Sequence, residues 1–128
     1  MSVKDAVKFL QFLVKAFEGN VVEKNETAGG IVGHAKVGID DSILECSEAH
    51  GEWGPRMATM HLYVPGTDVV YERALKAGAT CLFEPKDRPY GERSGGLMDE
   101  WGNHWYVAIC KESAAKEEVE KRVSAQGR

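Results

Sequence analysis

The two halves of this chain repeat one another, and that repeat limits the fold more than any other feature. From residue 57 onward the order is strand, helix, strand, strand, strand. An apolar run at 57–64 is followed by a helix at 68–77, where Val70, Tyr71, Ala74 and Leu75 recur at helical spacing. Thr67 is the expected N-cap of that helix and Gly78 its stop. Strands follow at 79–83, 94–99 and 103–110. Residues 84–92 (EPKDRPYGE) read as a long loop, and Glu100-Trp101-Gly102 as the turn between the last two strands.

The first half gives helix, strand, strand, strand. Ala6, Phe9, Leu10, Leu13 and Phe17 line one stripe of a helix over 4–18. A strand at 20–24, a glycine-rich turn at 25–30 (NETAGG) and a hairpin of 31–39 with 42–47 around Asp40-Asp41 complete the unit. With the helix starts Asp5 and Asp68 superposed, His61 lies seven residues ahead of Asp68, so its counterpart falls before Met1. The first unit is therefore expected to lack its opening strand.

The fold class expected is α+β, built of two βαβββ modules, the first without its opening strand. Module 1 spans about 1–48, a linker with two glycines and a proline 49–56, module 2 about 57–110, and a helical tail 111–128, all within a single domain. In the tail Glu117, Glu118, Lys121 and Arg122 lie at spacings that pair along a solvated helix. A missing strand exposes a sheet edge, and unpaired edges recruit partners. A homodimer follows as the expected state, with exchange of modules as one form of it.

Composition excludes several classes. At 128 residues, 43% of them apolar, the chain is long enough for one ordinary core. A net charge of -4, with lysine and arginine scattered among acidic residues, argues against a nucleic-acid partner. No apolar run approaches the roughly 18 residues of a membrane span, and no leader precedes the first helix, so no membrane partner and a cytoplasmic location are expected. Cys46, Cys81 and Cys110 are an odd, widely spaced set without a CxxC pair, which fits reduced, half-buried strand residues.

Several side chains are candidates for chemistry. Glu45 shares a strand face with Ile43 and reads either as a cleft carboxylate or as a solvated edge residue. His61, between Met60 and Leu62, reads as cleft-lining or as a satisfied structural histidine. Tyr90, Arg93 and Trp105 together suit a small anionic or planar ligand; the plain alternatives are a shaped loop, an ion pair and a core ring. His34 reads as structural, His50 as exposed, and Trp53 as an exposed ring that caps a cleft or meets a partner. Gly95-Gly96 lacks the strand-to-helix context of a phosphate loop.

Residues 61–68 (HLYVPGTD), 74–80 (ALKAGAT), Glu84-Pro85, 89–93 (PYGER) and 99–105 (DEWGNHW) closely resemble the glyoxalase/bleomycin-resistance/dioxygenase family, the vicinal oxygen chelate superfamily, in its glyoxalase-like bacterial branch. Residues 33–35 (GHA) and 43–49 (ILECSEA) extend the resemblance to the first half. The resemblance implies paired βαβββ modules forming a strongly curved mixed sheet of eight strands, with helices on its outer face, that encloses a small-molecule cleft, usually in dimers. It also implies a divalent metal (Zn, Ni, Fe or Mn) bound from the first and last strand of each module. Glu45 and His61 match two ligand positions, as metal ligands or as an acid/base pair. The third position falls in the missing strand. Tyr106 stands at the fourth, where a neutral phenol is a poor ligand, and it joins Tyr90, Arg93 and Trp105 as a ligand-binding candidate. His104 faces the same way two residues earlier and is the stand-in donor. Two functions remain open: a metal-dependent lyase, isomerase or dioxygenase, and a non-catalytic protein, drug-sequestering or inactive, that binds an aromatic or cationic compound.

Overall fold

A computed structural model describes residues 1–110, and the tail expected to be helical lies outside them. Helix α1 (Ala6–Phe17) buries Ala6, Phe9, Leu10, Phe12, Leu13, Ala16 and Phe17, the stripe its spacing requires. Asp5 caps it by accepting from Lys8 N, and the Glu48 carboxylate, reaching across from a strand, accepts from Asp5 N and Ala6 N at 2.8 Å each. A negative group at these orphan donors also suits the helix dipole.

The chain then runs through β2 (Asn20–Glu26), β3 (Val32–Ile39) and β4 (Ser42–Glu48). They follow β1 (Ser2–Val3), the opening strand that position counting had placed before Met1. Two residues of it are present, paired in parallel with Ser47 and Glu48. The turn into α1 is one residue shorter than the corresponding turn in the second half, so what remains of β1 matches the end of its longer counterpart.

Module 2 is β5 (Thr59–Tyr63), α2 (Thr67–Lys76), β6 (Thr80–Asp87), β7 (Glu92–Met98) and β8 (His104–Cys110). Gly66, not Thr67, is the N-cap of α2. Thr67 is the first helical residue, buried, and its hydroxyl is spent on Arg93 O at 2.7 Å. The long loop expected at 84–92 is mostly strand: β6 continues through Pro85 to Asp87, and a tight turn closed by Gly91 N on Arg88 O leads straight into β7. Pro85 is tolerated because β6 is an edge strand, where a missing N–H costs no ladder bond.

The strand orders are β1-β4-β3-β2 and β5-β8-β7-β6, two four-stranded mixed sheets of the same topology. Burial alternates along the strands, as Leu44 and Cys46 face the helix layer while Ile43 and Glu45 face outward. Each sheet thus packs one face on a helix and leaves its other face open. The sheets share no paired strands and are joined through the helix layer. There Phe17 lies 4.7 Å from Trp105 and Phe9 meets Trp101 edge-on at 5.0 Å. Arg73 of α2 donates to Ala16 O and pairs with Glu18, while Lys8 pairs with Glu100 at 2.6 Å. The buried apolar residues form one cluster drawn from both modules. Cys46 and Cys81 are free thiols, buried and exposed respectively.

Candidate functional site

On the open face of module 2, register builds one row across the strands: His61 opposes Tyr106, Tyr106 opposes Gly96, and the Phe83 ring lies over Gly96. A Cβ at Gly96 would collide with the Phe83 ring, so only glycine lets that ring lie flat on the sheet. Phe83 is 5.6 Å from Tyr106, and Arg88 stacks over Phe83 at 5.0 Å. His61 sits 5.0 Å from Tyr63 and edge-on to Tyr106 at 6.4 Å. His104 Nδ1 is 3.4 Å from the Tyr106 hydroxyl. Tyr63 is 60% exposed and Phe83 37%, so these rings form an uncovered aromatic surface.

A carboxylate lies beneath the edge of this surface. Glu92 accepts from the Tyr63 hydroxyl through Oε2 at 2.8 Å, and its Oε1 is 3.8 Å from His61 Nε2. Only 12% of its side chain is exposed.

The open face of module 1 carries charge instead of rings. His34 Nε2 donates to Glu45 Oε1 at 2.7 Å, its Nδ1 is 3.7 Å from Glu23, and Lys36 pairs with the same Glu23 at 3.6 Å. His34, read as structural, is therefore the partner that holds Glu45.

Two of the residues grouped as ligand-binding lie on the other side of their sheet. Trp105 is fully buried among Phe12 and Phe17, and its Nε1 donates to Asp99 at 2.7 Å. Arg93 shares the helix side of β7 with buried Leu97 and forks onto both Asp68 oxygens at 2.8 and 2.9 Å, with Asp87 at 3.4 Å. The hydrogen bonds to Asp68, reinforced by its charge, hold the guanidinium pKa above its ordinary value. Tyr90 is half-buried in the turn before β7, and Tyr106 and His61 oppose each other on the open face. His50 and Trp53 are exposed in the linker and bridge to each other.

Glu45 and His61 do not meet within the chain: the first is bonded to His34, the second faces Glu92, and they lie on different sheets. Among the described residues no three His, Cys, Asp or Glu side chains gather as a metal site requires. The donors of a single chain therefore do not fit the metal that the resemblance implied.

Replacing Gly96 by alanine is expected to push the Phe83 ring off the sheet and to lower stability by about 1–3 kcal/mol, the usual cost of overpacking. Aromatic NMR shifts of Phe83 and Tyr106, with urea unfolding, measure both effects; unchanged ring shifts would refute the contact.

Two modules of the same strand order, each a helix-backed sheet with an open face, define a paired-βαβββ protein. Residues 1–107 match the model of the glyoxalase/bleomycin resistance protein/dioxygenase superfamily, and the chain belongs to that superfamily. Uncharacterized protein Mb0911c of Mycobacterium bovis is 30% identical over 136 residues, covering 98% of this chain and 90% of that one. Uncharacterized protein Rv0887c of Mycobacterium tuberculosis matches at the same identity over 80% of its length. Among solved structures, TioX from Micromonospora sp. ML1 superposes with a TM-score of 0.76 at 19% identity, covering 86% of this chain and 94% of TioX. A glyoxalase/bleomycin resistance protein/dioxygenase family enzyme from Burkholderia phytofirmans PsJN gives 0.68 at 16%, with the same coverages. At these identities the structural likeness establishes the fold. Among the described residues no helix is long and apolar enough to cross a membrane.

Proposed function

We propose that this protein binds a flat small molecule on the aromatic open face of module 2, in a homodimer whose second copy lays its module 1 face over that surface. The observation that carries the reading is the uncovered row of His61, Tyr106 and Phe83 with Tyr63 beside it. Aromatic side chains in this number are normally buried, and flat apolar rings with a few polar groups are the usual lining of a small-molecule site. The charged face of module 1, with Glu45 and His34, supplies the polar wall that such a site needs for orientation. The free thiols of Cys46 and Cys81 suit a cytoplasmic setting.

A second reading, a divalent-metal lyase, isomerase or dioxygenase, rests on Glu45 and His61 each standing on an open face. It requires the partner's module to bring them together, with His104 beside them. Within one chain the donors are engaged elsewhere, so the binding reading is preferred.

The test is an NMR titration with 2-naphthol as the flat probe, run beside light scattering. A dimer whose shifts cluster at His61, Tyr63, Phe83 and Tyr106 is the expected result. A monodisperse monomer would refute the composite cleft, and shifts elsewhere or none at all would refute the site. Elemental analysis of chelator-free protein, wild type against the Glu45→Ala and His61→Ala double substitution, decides the metal. Near-stoichiometric metal lost in the double variant would reverse the preference.

A further inference from the structure

The Glu92 carboxylate is an anomaly in a surface otherwise built of rings. Its Oε1 is shut off from solvent and, among the described residues, receives no hydrogen bond. A buried acceptor left without a donor costs about 1–3 kcal/mol, and more when it carries charge. Two arginines on the same hairpin are near enough in sequence to serve it, and neither does. Arg88 donates to Ser94 Oγ at 3.0 Å and to Ser94 O at 3.3 Å while stacking on Phe83. Arg93 is on the opposite side of β7, held by Asp68 and Asp87.

The group that faces Oε1 is His61 Nε2, at 3.8 Å. An ionised carboxylate only accepts, so an approach between these atoms requires the proton on Nε2. Closing the gap to hydrogen-bond length takes a shift of about 1 Å. The exposed imidazole can make that shift, while Glu92 is anchored from its other oxygen by Tyr63. A carboxylate that holds one imidazole nitrogen fixes the tautomer and leaves the other nitrogen as an acceptor. Among the described residues nothing hydrogen-bonds to His61 Nδ1.

We infer that Glu92 is a positioning residue: it holds His61 as the Nε2–H tautomer and makes Nδ1 the hydrogen-bond acceptor of the aromatic face. The site then selects flat aromatic molecules that carry a hydroxyl or N–H donor over the same ring system with that donor methylated. This assignment of ligand class rests on the small-molecule reading of the face, whereas the tautomer does not.

The tautomer is read first, by long-range ¹H–¹⁵N NMR of the ligand-free protein, at a pH where the imidazole ¹⁵N shifts themselves report a neutral ring. His61 is expected as Nε2–H in the wild type, to remain so in Glu92→Gln, whose amide oxygen still accepts, and to lose that bias in Glu92→Leu. An Nδ1–H tautomer in the wild type overturns the inference without any variant. A tautomer indifferent to Glu92→Leu, in a protein whose other resonances are unmoved, does the same.

Affinities for 2-naphthol and 2-methoxynaphthalene are then compared. The expected preference for the naphthol is about tenfold in the wild type, the upper range for one neutral hydrogen bond, and about twofold or less in His61→Phe. Equal affinities on an intact binding face overturn the acceptor role alone. Binding of neither probe overturns the ligand class together with the reading it rests on, and the tautomer result still judges Glu92.

Discussion

Trp105→Ala is expected to lower the free energy of unfolding by about 3–5 kcal/mol, the usual cost of emptying a large aromatic site in a core. The ring is fully buried and touches both Phe12 and Phe17 of α1, although it belongs to module 2. Its removal therefore opens a cavity at the junction of the modules. Domains of this size have about 5–15 kcal/mol to lose, so a large part of the stability goes with one side chain. Urea unfolding followed by far-UV circular dichroism measures it. A loss below about 1 kcal/mol would mean that the modules do not depend on this ring. Trp105→Phe keeps the packing and forfeits the hydrogen bond to Asp99, so it is expected to fall between wild type and alanine.

That same ring shows where sequence reasoning stopped. Trp105 was a ligand candidate or a core ring, and composition alone could not separate the two. Strand alternation could have done so: Trp105 and Val107 fall on one face and His104 and Tyr106 on the other. The fold itself was legible because it rests on spacing. The stripe of Phe9, Leu13 and Phe17 requires a helix, and the repeated strand order requires two similar sheets. Boundaries read less well where a tertiary contact decides them. Thr67 lost its capping role because the helix starts one residue earlier, with its N-cap at Gly66, which leaves Thr67 as the first helical residue, and β1 persists as two residues because β4 offers it a parallel ladder.

The site was legible in part and for the same reason. His61, Tyr106 and Glu45 do stand on open faces. Tyr63 is two residues beyond His61 and follows from alternation alone. Glu92 was missed because the two prolines in 84–92 suggested a loop, which put the start of β7 two residues late. Extending that strand backward from Gly96 in steps of two reaches Ser94 and then Glu92 on the same face. The pairing of Glu45 with His34 needed the β3–β4 register, which places His34 diagonally from Glu45, across from the Lys36–Glu45 pair. Nothing in the separate residue types announces it.

Asp99→Ala is expected to cost about 3–5 kcal/mol, as much as losing the tryptophan, because one carboxylate organises the whole turn between β7 and β8. Oδ1 accepts from Trp101 N and Asn103 N at 2.9 Å each, and Oδ2 accepts from Asn103 Nδ2 at 3.0 Å and Trp105 Nε1 at 2.7 Å. Asp99 is 3% exposed and Asn103 fully buried, so water does not easily replace these bonds. Gly102, at φ 84, closes the turn, and Asn103 Oδ1 passes the order on to Ala58 N just ahead of β5. Asn at position 99 is not expected to rescue, since its amide would set N–H against the donors from Asn103 and Trp105. The decisive measurement is a double-mutant cycle of Asp99→Ala with Trp105→Phe in urea. Because both changes break the same Oδ2 bond, their costs should fall short of additive by about 0.5–3 kcal/mol, the range for residues in direct contact. Costs that add within about 0.5 kcal/mol would mean the bond contributes nothing that the turn needs, and the damage from Asp99→Ala would then belong to the backbone donors alone.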